Sequence, residues 1–173
     1  RMEIMHPENW PQFYTATIQH WNNLLADEKY KSVITNSLGY LVQNRKIKLN
    51  GFVVMNNHIH FIWQATAGNN LKDIQTGFKK FSSQQFVILL RQDKELNQYA
   101  VSSADRKHHF WKRNSLSVEL FTPAVFQQKL DYIHNNPVVA GICEYPEQYK
   151  YSSASFYEKG IDEFGILEHY AGS

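Results

Sequence analysis

The chain has 173 residues, a formal net charge of +2, 43% hydrophobic residues and 20% charged residues. That balance fits one globular domain over residues 1–173, with its core expected at about 13–157. It lacks the strong positive charge that would by itself point to nucleic acid. The single cysteine, Cys143, excludes an internal disulfide and a cysteine-rich zinc site.

No segment reaches the roughly 18 consecutive apolar residues of a membrane helix. The opening residues, RMEIMHPENW, lack the apolar core of a signal peptide. A reduced, cytoplasmic protein is therefore expected. Ten Tyr, eleven Phe and four Trp suffice either to stack on unpaired bases or simply to fill a core.

Phe13 to Ile18 alternates with β-type residues and predicts a first strand. Asp27 can cap a helix to about Gln43, in which Val33, Ile34, Leu38, Leu41 and Val42 recur at helical spacing. Ile47–Met55 and His58–Gln64 are two further strands, with Asn56-Asn57 as hairpin-turn chemistry between them. A second helix follows Gly68-Asn-Asn, with Leu71, Ile74, Phe78, Phe81 and Phe86 as its apolar stripe.

Residues from about 92 to 114 are mixed and polar and predict a long loop ending in RKHHFWKR. Leu116, Val118 and Leu120 alternate as a fourth strand. Thr122 before Pro123 starts a helix expected to stop at about Asn135, ahead of Pro137. Val125, Phe126, Leu130 and Ile133 form its core-facing stripe, and a short helix is expected near Ser152–Tyr157. Strand, helix, strand, strand, helix, strand is the order of an α+β, ferredoxin-like βαββαβ sandwich with an antiparallel sheet, here with an additional C-terminal helix.

The third strand, HIHFIWQ, carries the first sign of chemistry. Alternation puts Ile59, Phe61 and Trp63 on one face and His58 and His60 side by side on the other. Two adjacent imidazoles chelate a divalent metal. A bare His-x-His is also what a partly exposed strand carries, and in zinc hydrolases it needs further ligands. His108, His109 and His134 are available for that, though their spacing does not favour them.

On the Pro123 helix, Lys129, Tyr132 and Asn136 lie one turn apart along one edge. Alone, this is an amphipathic helix with a half-buried boundary tyrosine, and Asn136 is a turn residue before proline. Together with the histidines, the parts suit phosphodiester chemistry. A metal held by His58, His60 and an amide oxygen would polarise the phosphodiester, and a tyrosine hydroxyl would attack phosphorus. Neutral ligands leave the metal most of its charge, and Mg2+ or Mn2+ would serve.

MNNHIHFIW resembles the His-hydrophobe-His (HUH) motif of single-tyrosine transposases. DYIHNNPVVAG, Asp131 to Gly141, resembles the tyrosine-helix signature of their REP-associated branch. EYPEQYKYSSASFY, Glu144 to Tyr157, is similar to the segment that follows it there, and FWKRN resembles the approach to its fourth strand. The resemblance spans about Phe13 to Tyr157. It implies a ferredoxin-like fold whose added C-terminal helix is catalytic, with His58 and His60 as metal ligands, Asn136 as the third ligand and Tyr132 as the nucleophile. It implies a transposase that cuts and rejoins single-stranded DNA beside hairpins through a 5′-phosphotyrosine, with Mg2+ or Mn2+. A monomer is expected over a helix-exchanging homodimer. The sequence departs from the family at Asn56, where proline is frequent, and at Val139, where a basic residue is frequent.

Arg106, Lys107, Lys112 and Arg113, interleaved with Trp111, could meet phosphates and stack on a base, with Lys79 and Lys80 adding charge; a solvated loop accounts for the same residues. Lys129 could steady the phosphate or cover apolar surface with its stem. The competing readings are a replication-initiator or relaxase-like nicking enzyme, a non-catalytic hairpin-binding protein retained by a host, and a small-substrate metallohydrolase.

Overall fold

A computed structural model of the protein describes residues 7–96 and 109–172. Strand β1 (Gln12–Thr17), β2 (Ile47–Val54), β3 (His58–Ala65) and β4 (Leu116–Glu119) form one antiparallel sheet in the order β2-β3-β1-β4. With α1 (Glu28–Gln43), α2 (Leu71–Gln92) and α3 (Pro123–Val139), this is the expected ferredoxin-like α+β arrangement. The short helix α4 (Ala154–Lys159) follows. Among the described residues, no helix is long and apolar enough to cross a membrane.

Local chemistry sets the helix starts. The Asp27 carboxylate accepts from the Lys29 amide, the Asn70 side chain from the Lys72 and Asp73 amides, and the Thr122 hydroxyl from the Val125 amide. Period-two alternation then sorts the sheet into two faces. Tyr14, Ile59, Phe61 and Trp63 pack beneath α1 and α2 with Ile34, Leu38, Phe78 and Phe86. On the other face, Phe13, Val53, Met55 and Ile62 receive Leu130 and Ile133 of α3.

Helix α3 lies close to the sheet because β2 carries a bulge and a glycine. The pairing with β3 shifts register between Leu49 and Gly51, and a Cβ on Gly51 would stand 2.8 Å from Leu130 Cδ1. The segment after α3 then runs along β2, an edge strand of the sheet. The Val54 amide donates to Tyr151 O, the Ser153 amide to Phe52 O, and the Tyr149 and Tyr157 hydroxyls to Val54 O and Asn50 O. This covers an edge that would otherwise expose unpaired backbone.

Three expectations need correction. First, α3 does not stop before Pro137 but continues to Val139. The proline removes one donor in the last turn, and the end is rebuilt by a Schellman pair, Gly141 N to Val138 O and Ile142 N to Pro137 O, with Gly141 at φ 75°. Second, Phe81 is exposed and Ser82 takes the inward position, because the Trp111 indole N–H donates to its hydroxyl at 2.9 Å. Third, Val125 is exposed, since the buried line of α3 runs through Leu130, Ile133, His134 and Pro137.

Candidate active site

Strand β3 opens with His58 and His60, whose ring centroids lie 5.0 Å apart on the face covered by α3. Each Nδ1 is engaged from the protein side. His58 Nδ1 lies 2.7 Å from Asn57 Oδ1, an acceptor only, so this nitrogen carries the proton and leaves a lone pair on Nε2. His60 Nδ1 lies 2.7 Å from the hydroxyl of Thr15, its cross-strand neighbour in register. Oriented imidazoles of this kind are what a metal site requires.

His60 is 4% exposed, and among the described residues its buried Nε2 has no hydrogen-bond partner. A buried polar atom left so is uncommon and calls for a ligand. Burial pushes the His60 imidazole down to a pKa of about 3, aided by the charges of His58 and Lys129. Burial also lowers His58, while a hydrogen bond with the Asn136 side chain acts the other way. Both rings are therefore neutral donors at physiological pH.

Helix α3 brings the remaining groups. Tyr132 stands edge-on to His60, with 5.3 Å between ring centroids, and its side chain is exposed. Asn136, one turn on, is the amide beside His58. Lys129, one turn back, sits 5.0 Å from the ring centroid of Phe13, which itself stacks on His60 at 5.3 Å. Among the described residues, no third histidine, cysteine or carboxylate joins the pair. The donor set is thus two imidazoles with an amide alongside, which fits a divalent cation needing further oxygen ligands from water or phosphate.

Sequence reasoning named His58, His60, Lys129, Tyr132 and Asn136, and the structure brings these five together. It did not name Thr15, Asn57 or Phe13. Asn57 was legible as the neighbour of His58, whereas Thr15 and Phe13 reach His60 only through strand register. His134 points away from the site: its Nε2 pairs with the Ser153 hydroxyl at 2.8 Å, and burial holds its pKa down at about 4.

Of the residues expected at a DNA surface, Arg106 and Lys107 lie outside the described residues. Lys79, Lys80, Lys112 and Arg113 line one cleft of about 300 Å3. Lys80 and Arg113 are exposed, whereas the Lys79 ammonium donates to Lys112 O and the Ser115 hydroxyl. Trp111 is a correction: at 5% exposure it belongs to the core, and its ring is closed to a base.

No protein-family model and no curated protein matches the sequence. Solved structures do. The chain is similar to a REP-associated tyrosine transposase bound to a REP hairpin, with 16% identity, a TM-score of 0.67, and coverage of 100% of this chain and 96% of the other. It is also similar to a candidate transposase of Deinococcus radiodurans, with 14% identity, a TM-score of 0.53, and coverage of 78% and 96% respectively. In its described residues, the chain has the fold of the REP-associated tyrosine transposase.

Proposed function

We propose that the protein is a single-tyrosine HUH transposase of the REP-associated type. It would cleave and rejoin single-stranded DNA beside hairpins, with Tyr132 as nucleophile. The observation that carries this reading is the meeting of Tyr132 with His60, whose buried Nε2 has no partner among the described residues. The structural neighbour bound to a REP hairpin supports the substrate class.

His58, His60 and Asn136 would hold Mg2+ or Mn2+, which when bound draws charge from the phosphodiester oxygens. The chain's own groups do the rest. The Tyr132 hydroxyl gives up its proton to water, and its oxygen forms a bond to phosphorus as the P–O3′ bond breaks. The departing oxygen takes up a proton as a free 3′-hydroxyl, and the 5′ side stays on the tyrosine. Attack by a 3′-hydroxyl reverses the step and releases Tyr132. Lys129, held against Phe13, places a positive charge on the same side of the sheet.

Lys80, Lys112 and Arg113 would meet phosphates electrostatically. The protein would act as a monomer in the cytoplasm. The test is a denaturing gel with labelled hairpin oligonucleotides bearing single-stranded arms. A covalent band that requires metal and is absent with Tyr132→Phe is the expected result. Tight binding without such a band would leave only a DNA-binding role.

A further inference from the structure

Trp21 lies just beyond β1, outside every group used so far. It is 58% exposed, whereas Trp63 and Trp111 are 0% and 5% exposed. Its backbone is left-handed, with φ 55°, directly after His20 at φ 57°. A bulky side chain rarely adopts that conformation, and here it leaves the ring in solvent instead of the core. The Lys112 ammonium sits 4.1 Å from the ring centroid.

Backbone pairing ties the segment that leads to this ring onto the strand that carries the histidines. Thr17, at the end of β1, is in register with His58 on one side and accepts from the Lys112 amide on the other. The Ile18 amide donates to Asn57 O, tying the chain that leads to Trp21 onto the turn before His58. An exposed indole with an ammonium over its ring thus follows the end of β1 that is paired with His58.

We propose that Trp21 and Lys112 form a platform for one unpaired nucleotide of the substrate strand, the base stacking on the indole and the ammonium neutralising its phosphate. This rests on the single-strand DNA reading above. A base in any sequence offers a π-face, so the platform would hold the strand in place without reading its sequence.

The test is fluorescence anisotropy with a labelled hairpin oligonucleotide, with and without a single-stranded arm, in chelator so that no cleavage occurs. Trp21→Gly removes the ring and relieves the left-handed backbone; Trp21→Phe keeps an aromatic face. Trp21→Gly is expected to weaken binding of the armed hairpin roughly tenfold. It should leave binding of the armless hairpin unaffected without lowering the melting temperature, and Trp21→Phe should retain most of the affinity. Equal binding of the armed hairpin by Trp21→Gly and the unaltered protein would overturn the platform while the transposase reading stands. A parallel fall in melting temperature would also overturn it, by making Trp21 structural. Failure of the unaltered protein to bind either hairpin would overturn the transposase reading and the platform with it.

Discussion

The ring of Tyr132 stands edge-on to the imidazole of His60, with 76° between their planes and 5.3 Å between their centroids. One residue comes from α3 and the other from β3, so the relationship depends on how closely the helix can approach the sheet. Gly51 sets that approach. A methyl group there would fall 2.8 Å from Leu130 Cδ1. Gly51→Ala is expected to destabilise the fold by about 1–3 kcal/mol, and to reduce covalent adduct formation more than DNA binding. Gly77→Ala is the control: its Cβ meets nothing within 4 Å, and urea unfolding should show unchanged or slightly raised stability.

The Thr15 hydroxyl is the group that orients His60. Thr15→Val keeps the shape and removes the hydrogen bond. Mn2+ binding measured by calorimetry should weaken about 10- to 100-fold, with the circular dichroism spectrum unchanged. Unaltered affinity would show that Thr15 does not hold the ring.

His134 gives stability a pH dependence. Its folded pKa is about 4, below its ordinary value, because burial disfavours the imidazolium. Between that value and about 6.5, the unfolded chain binds the additional proton. Stability is therefore full above about pH 6.5 and falls as the pH drops toward 4, by on the order of 3 kcal/mol at most for this group. Urea unfolding at pH 7 and pH 5 should show the loss, and His134→Leu should reduce its size while lowering stability at pH 7 through the lost hydrogen bond to Ser153.

Lys80 and Arg113 are exposed in the basic cleft, whereas Lys79 is held by Lys112 O and Ser115. Lys80→Ala and Arg113→Ala should each lower the slope of log affinity against log salt by about 1. Lys79→Ala should act first on the melting temperature.

How much of this the sequence reveals depends on range. The caps at Asp27, Asn70 and Thr122 are local chemistry, and the helices start where those residues say. The alternation in HIHFIW is likewise local, and it places both histidines together. Other features depend on distant partners. Trp111 looks like a base-stacking residue until Ser82, far along the chain, is seen to accept its N–H. Pro137 reads as a stop, yet the helix runs past it to a capped end at Gly141. His134 sits in the same signature as Tyr132, and only packing against Ser153 shows that it anchors α3.

Tyr132 is proposed to attack phosphorus at a site organised by His58 and His60. Mass spectrometry of the protein after reaction with an armed hairpin oligonucleotide in Mn2+ tests it most directly. A nucleotide joined through its 5′-phosphate to the peptide containing Tyr132 is expected, and none in chelator or with His60→Ala. A nucleotide on another residue, or a cleaved strand with no nucleotide on the protein, would contradict it.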